Sequence, residues 1–180
     1  MLTIKITDNY HPLYENINYL YNHSFPSHER REWDEMDTII KTDNRFNMLA
    51  FSNDNEFIGF LNYWNFENFI YVEHFAITDT KRGQGIGTQI MKNLIAKHRV
   101  PIVLEVELPD NTQGIRRITF YEELGFAIIP KTYLQPPYNG KSACLPLHIM
   151  SNDKNFATKN FEQIKERLYK EVYKADLQHF

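Results

Sequence analysis

The 180-residue chain has one cysteine, Cys144. A single thiol excludes an internal disulfide framework and any clustered thiolate zinc or iron–sulfur site, and it fits a reducing compartment. Long apolar runs are missing too: no stretch approaches the ~20 residues of a membrane-spanning helix. The opening MLTIKITDNYHPLY lacks the basic patch and apolar run of a secretory signal, so a cytoplasmic protein without a membrane partner is expected. Neither sign of charge dominates. Twenty Lys and Arg face 23 Asp and Glu, a formal net charge of -3, so no global cationic field draws the chain to nucleic acid or anionic lipid. The seven histidines are scattered without ligand spacing, and Lys97 to Arg99 is too short for a basic stripe. Neither a metal nor a nucleic-acid partner is expected.

What is present suits one globular domain: 42% hydrophobic and 24% charged residues can bury a sizeable core. Aromatics reach 14%, which serves either an aromatic core or a pocket for an organic ligand. Leu2, Ile4 and Ile6 alternate with polar residues as in a half-buried strand, and Asp8 offers an N-cap for a helix through Leu13, Ile17, Leu20 and Tyr21 that ends near Pro26. Ser27 is placed to cap a second helix reaching Lys41. Three apolar runs, FNMLAFS, EFIGFLNYW and FIYVEHFAI, separated by Asn and Asp, predict an antiparallel meander. A helix follows Gly87 until Pro101 stops it, then a strand IVLEVEL, a helix over about Ile115 to Leu124 capped by Gly125, and strands GFAII and ACLPLHIM. The order predicts an α/β fold with a mixed sheet. Gln135 to Gly140 reads as an ordered loop. From about Asn152, Phe161, Ile164, Leu168 and Val172 share one helical face, for docking on the core or for a homodimer contact.

Glycine is scarce, and its distribution is informative: three of the seven lie in Gly83-Gln84-Gly85-Ile86-Gly87, between the strand Phe75-Ala76-Ile77 and a helix. Glycine lets main chain pass close to a ligand, and the free N–H groups at a helix start, at the positive end of its dipole, suit phosphate oxygens. Arg82 and Lys81 add positive charge there. The spacing is neither the nucleoside-triphosphate loop G-x-x-x-x-G-K-[ST] nor the dinucleotide fingerprint G-x-G-x-x-G. A purely structural strand–helix turn is the alternative.

Arg82-Gly83-Gln84-Gly85-Ile86-Gly87 resembles the R/Q-x-x-G-x-G/A acyl-CoA loop of the GNAT superfamily of N-acetyltransferases, and Phe120-Tyr121-Glu122-Glu123-Leu124-Gly125-Phe126 resembles that family's F-Y-x-x-x-G-F segment. The resemblance covers roughly residues 3 to 150. It implies a mixed, mostly antiparallel sheet flanked by helices and splayed between the strand ending near Ile77 and the one over Ile102 to Leu108, with acetyl-CoA as cosubstrate in the gap. It further implies that the main chain of Phe75, Ala76 and Ile77 pairs with the pantetheine arm, while amides of Arg82, Gly83, Gln84, Gly85, Ile86, Gly87 and Thr88 hold the pyrophosphate. Where the family often has Asn and Ala before the Tyr, this chain has Gly114 and Arg117. Arg116 and Arg117 then suit either a phosphate or a solvated basic face. An N-acetyltransferase domain over 1–151 and a helical extension over 152–180 are expected.

Acetyl transfer to an amine needs a base, an oxyanion donor and a proton for the thiolate. Glu73 interrupts an apolar strand and, by alternation, shares a face with Tyr71 and Phe75, which makes it the candidate base; pairing with a nearby cation, or reaching solvent at a strand end, is the alternative. His74 falls on the opposite face as a core histidine. Glu105 and Glu107 compete for the base role. Tyr121 is the candidate acid, as the resemblance implies, and a backbone N–H near Phe75 the oxyanion donor. Cys144 reads as structural and buried. The expected acceptor is a small-molecule amine or an exposed amino group, selected around Phe25 to Arg30, Tyr63, Trp64 and Tyr133 to Tyr138. Protein acetylation and a non-catalytic acyl-CoA-binding module are the alternatives.

Overall fold

The computed structural model describes residues 1–54, 56–138 and 143–175, which form two compact units, Met1–Arg99 and Val100–Phe180. The chain has a mixed α/β fold with mostly antiparallel sheet flanked by helices.

In the first unit, alternation yields β1 (Leu2–Ile6), and the three apolar runs become β2 (Phe46–Asn53), β3 (Glu56–Asn65) and β4 (Ile70–Ile77), in spatial order β1-β2-β3-β4 and all antiparallel. The expected meander is therefore present. Helix α1 (Tyr14–Ser24) buries Ile17, Leu20 and Tyr21; the Tyr21 ring meets Phe60 and His74, which places α1 on the face carrying Phe60. Helix α3 (Ile86–Lys97) serves the other face, where His98 at its C-cap packs on Tyr63.

Two helix starts differ from expectation. Asp8 does not cap α1: its carboxylate accepts from Tyr10 N–H in a local turn, and the helix begins only at Tyr14. Ser27 opens a single 3₁₀ turn (Ser27–Glu29), and α2 is Trp33–Thr42. The break follows from Arg30, which is extended (φ -145, ψ 158), and from Arg31 N–H, which donates to Tyr21 Oη instead of a helical carbonyl.

In the second unit, β8 (Leu145–Ser151) pairs antiparallel with β5 (Ile102–Glu107) on one side and with β6 (Ala127–Ile128) and β7 (Tyr133–Gln135) on the other. Strand β7 occupies part of the segment expected to be loop; Asn139 and Gly140 lie outside the described residues. Helix α4 (Thr112–Glu122) starts earlier than expected because Asn111 Oδ1 accepts from Gln113 N–H and Gly114 N–H, both at 2.9 Å, a side-chain N-cap. It ends at Glu122, two residues short of the expected Leu124, and Gly125, with φ +87, is the left-handed residue of the turn that follows, as expected.

The anticipated C-terminal helix is present but interrupted. Its pieces are α5 (Lys154–Lys159), α6 (Phe161–Arg167) and a π-helical turn, Leu168–Val172. The break falls at Asn160, whose Nδ2 donates back to Phe156 O. The π turn is closed by Tyr173 N–H on Leu168 O. Phe161, Ile164, Leu168 and Val172 are all buried, as their spacing predicted.

Candidate functional site

Strand β4 leads through a 3₁₀ turn (Asp79–Lys81) into the glycine turn. Gly83 (φ +74) and Gly85 (φ +75) both adopt left-handed backbone that L side chains resist, and a Cβ built on either meets nothing within 4 Å. The turn is thus glycine-dependent by conformation and open above its surface. The first bond of α3 is Gln89 N–H to Gly85 O, so the amides of Ile86, Gly87 and Thr88 precede any intrahelical acceptor. No side chain caps this end among the described residues. Arg82 anchors the turn, donating from Nε to Ile77 O at 3.0 Å and pairing with the exposed Asp79 at 2.8 Å; Lys81 pairs with Glu56 at 2.7 Å. Pairs this exposed are weak and leave both cations able to meet an anion. Ala76 and Ile77 are buried and Phe75 is half-buried. Gly59 on β3 allows the close approach to β4, since a Cβ there would lie 2.3 Å from Ala76 O.

Glu73 sits in a β-bulge. The register pairs Tyr63 with Val72 and Asn62 with His74, so Glu73 is the extra residue of β4. Before the bulge Tyr71 opposes Trp64; after it Phe75 opposes Leu61, which lies on the other face of β3. The simple alternation expected for this strand is therefore corrected: Tyr71 and Phe75 face opposite ways, and His74 joins Glu73 on the α1 face. There Glu73 Oε1 accepts from Arg31 Nε at 3.0 Å and Arg31 Nη2 at 2.9 Å, while Oε2 accepts from Trp64 Nε1 at 2.7 Å. The Glu73 and Arg31 side chains are 0% and 3% exposed. Nothing in the local sequence marked Arg31; its signal was a lone acid in an apolar strand, which needs a cation from elsewhere. His74 lies between the Tyr21 and Phe25 rings, and burial lowers its pKa below the ordinary histidine value. Tyr63 and Trp64, expected near a pocket, are buried core residues.

In the second unit, Tyr121 packs against Phe120 and Phe126, and burial pushes its pKa up to about 12, so the phenol is protonated at neutral pH. Arg117, one turn earlier on α4, forms an ion pair with Glu107. Gly114 is fixed by packing, since a Cβ there would lie 2.6 Å from Leu108 O. Glu105 accepts hydrogen bonds from Tyr133, Gln135 and Tyr173, a cluster assembled from β5, β7 and the segment after the π turn. Glu105, Tyr133 and Gln135 were visible only as separate features of the sequence, and Tyr173 was not singled out. Cys144 is half-buried, not buried as expected, and has no disulfide.

The profile described as the Acetyltransferase (GNAT) family matches residues 11–126, which include the glycine turn, Glu73 and Tyr121. The chain belongs to this family. GNAT proteins are acetyl-CoA-dependent acetyltransferases, and the resemblance to the family is borne out at that level. A Bacteroides thetaiotaomicron structure assigned to the GNAT family shares 34% identity over 98% of this chain and 100% of that one, with a TM-score of 0.91. A GNAT acetyltransferase of Elizabethkingia anophelis, solved with acetyl-CoA bound, is 16% identical over 83% of this chain and 95% of that one, at TM-score 0.57, a likeness of fold. Bacillus subtilis YjbC, itself assigned as an acetyltransferase, is 36% identical over 63 residues, which span 34% of this chain and 32% of that protein. Among the described residues of this GNAT chain, no group of three His, Cys, Asp or Glu is placed to hold a metal ion, and no helix is long and apolar enough to cross a membrane.

Proposed function

We propose that the chain transfers the acetyl group of acetyl-CoA to a primary amine of a small molecule, by direct attack within a ternary complex. The glycine turn supports this reading: two left-handed glycines and the uncapped amides from Ile86 to Thr88, with Arg82 preceding them in the same turn, suit a pyrophosphate. Backbone of Phe75 to Ile77 takes the pantetheine arm, as in the family resemblance. The amine nitrogen attacks the thioester carbonyl carbon, and a backbone N–H near Phe75 stabilises the oxyanion. The C–S bond then breaks as Tyr121, held protonated by burial, gives its proton to the thiolate, and the proton leaving the attacking nitrogen restores the phenol, so that no proton is gained or lost overall.

The contacts of Glu73 favour the pairing alternative over the base role. Both of its oxygens are engaged, by Arg31 and by Trp64, and taking a proton would break a buried ion pair. We assign Glu73 to positioning: through Arg31 it fixes the segment between the Ser27–Glu29 turn and α2, where acceptor recognition is expected. Thiol release measured across small primary amines and lysine-bearing peptides tests the substrate class. Turnover of small amines above the peptides supports it, and turnover of peptides alone overturns it.

A further inference from the structure

Burial keeps the Tyr121 phenol protonated, and it also makes the phenol a reluctant acid. With its pKa pushed up to about 12, giving a proton to a thiolate of about 8.5 runs uphill by a factor of more than about a thousand. A group that favours the phenolate has to act on it. Most of what surrounds Tyr121 cannot: the residue is 7% exposed, and its ring packs on Phe120 and Phe126. Two charged groups reach it among the described residues, Arg117 favouring the phenolate and Glu107 opposing it, with Arg117 the stronger.

Local structure explains that reach within the second unit alone. Residues 117 and 121 lie one turn apart on α4, and helical side chains lean toward the N-terminus, so the Tyr121 ring lies over the turn that carries Arg117. Arg117 is held in turn by β5, where its Nη1 donates to Glu107 Oε1. That contact occupies one nitrogen of a planar fork with five N–H donors, and no other side-chain partner of Arg117 occurs among the described residues. The two side chains are 31% and 29% exposed. A pair so open to water binds weakly, so the guanidinium can serve a second anion while Glu107 holds it in place.

We propose that Arg117 is a positioning residue for proton transfer: held by Glu107, it stabilises the Tyr121 phenolate that forms as the departing thiolate takes its proton. The O–H bond of Tyr121 breaks as the S–H bond of coenzyme A forms, and the negative charge passes from sulfur to the phenolic oxygen. The proton leaving the attacking nitrogen then rebuilds the phenol. Glu107 has the opposite sense and keeps Tyr121 protonated between turnovers. The proposal rests on the N-acetyltransferase reading above, with Tyr121 as its acid, and it gives Arg117 a task other than the phosphate contact or solvated face expected of it.

A double-mutant cycle tests it. Thiol release from acetyl-CoA is measured with whichever small amine or lysine peptide is turned over fastest, in the full-length protein, in Arg117→Gln, Arg117→Lys, Glu107→Gln and Tyr121→Phe, and in Arg117→Gln combined with Tyr121→Phe. Acetyl-CoA affinity is measured in the same samples. Arg117→Gln should lower kcat by about tenfold, the effect of moving the phenol by one pKa unit, and leave acetyl-CoA affinity and the acceptor KM nearly unchanged. Arg117→Lys keeps the charge and should restore most of the loss. Once Tyr121 is replaced by Phe, Arg117→Gln should cost nothing further. Glu107→Gln removes the opposing charge and should bring the alkaline fall of kcat to lower pH, a readout that stands even where Arg117→Gln fails to fold. An unchanged kcat in Arg117→Gln, an equal loss with and without the Tyr121 hydroxyl, a loss that Lys does not restore, or an alkaline limb unmoved in Glu107→Gln would each overturn the role of Arg117. An unchanged kcat in Tyr121→Phe would overturn the acid through which it acts, and absence of acetyl-CoA binding would overturn the acetyltransferase reading beneath both.

Discussion

Arg31 grips a single oxygen of Glu73 with two guanidinium nitrogens, at 2.9 and 3.0 Å, and leaves the other oxygen to Trp64 at 2.7 Å. A residue from the connector before α2 is thereby bound to the bulge of β4. Removing one partner of a buried pair leaves an uncompensated charge, which costs about 3–5 kcal/mol, whereas replacing both by apolar groups is often near neutral. Arg31→Met should therefore lower stability by about that amount in urea unfolding, and Arg31→Met with Glu73→Leu should recover most of it. Equal losses from Arg31→Met with and without Glu73 would show that the pair is not coupled.

The same pair separates two roles for Glu73 by kinetics. A general base leaves its pKa on the acid limb of the kcat/KM profile, so replacing it reshapes that limb. Positioning through Arg31 predicts that Glu73→Gln raises KM for the amine and leaves the acid limb where it was. An acid limb that moves or vanishes in Glu73→Gln would return the residue to proton transfer.

At Gly85, conformation and ligand binding are both at stake. With φ +75, any L side chain there is strained by roughly 1–2 kcal/mol, and Asp adds negative charge over the amides of α3. Gly85→Asp should weaken acetyl-CoA binding by more than about tenfold and lower the melting temperature modestly. Gly85→Asn, which tolerates left-handed backbone and carries no charge, should lie between, as calorimetric titration of the two variants would show.

Much of this was legible in the residues. The period-2 runs gave β2, β3 and β4 because each alternates or runs apolar between Asn and Asp turns, and the glycine turn was legible because its conformation demands glycine. The faces of β4 were not. A bulge is a property of pairing: Glu73 becomes the extra residue only because Asn62 and Tyr63 are consecutive on β3, which β4 does not encode. Arg31 was hidden for a similar reason, since its partner is 42 residues away. The broken C-terminal helix lay between these cases, with Phe161, Ile164, Leu168 and Val172 all buried although Asn160 ends one helix and a π turn replaces the last.

Tyr121 should behave as a proton donor across the working range. Its pKa, pushed up to about 12 by burial, keeps the phenol protonated, so no alkaline loss of activity below that value should trace to it. Tyr121→Phe should lower kcat by about tenfold to a hundredfold and leave acetyl-CoA affinity nearly unchanged, by steady-state kinetics and calorimetry. An unchanged kcat would remove Tyr121 from the chemistry.

His74 makes stability depend on pH in a defined direction. Its folded pKa is lowered by burial, with Arg31 and Arg30 acting in the same sense and Glu73 and the Glu29 carbonyl opposing. Below the unfolded value of about 6.5 the unfolded chain therefore binds the proton first. Its contribution is complete above that pH and is lost progressively as pH falls toward the folded value. Urea unfolding from pH 7.5 to 5 should show this fall, and His74→Phe should flatten it in part; His98, whose pKa is also lowered by burial, acts in the same direction.

The most direct measurement is calorimetric titration of acetyl-CoA into the full-length protein, followed in the same cell by thiol release on adding primary amines. Binding at micromolar strength or tighter, abolished or strongly weakened in Gly85→Asp, is the expected result. No binding at millimolar acetyl-CoA would mean that the Arg82–Thr88 turn serves only to pack α3 against β4, and the assigned chemistry would fall with it.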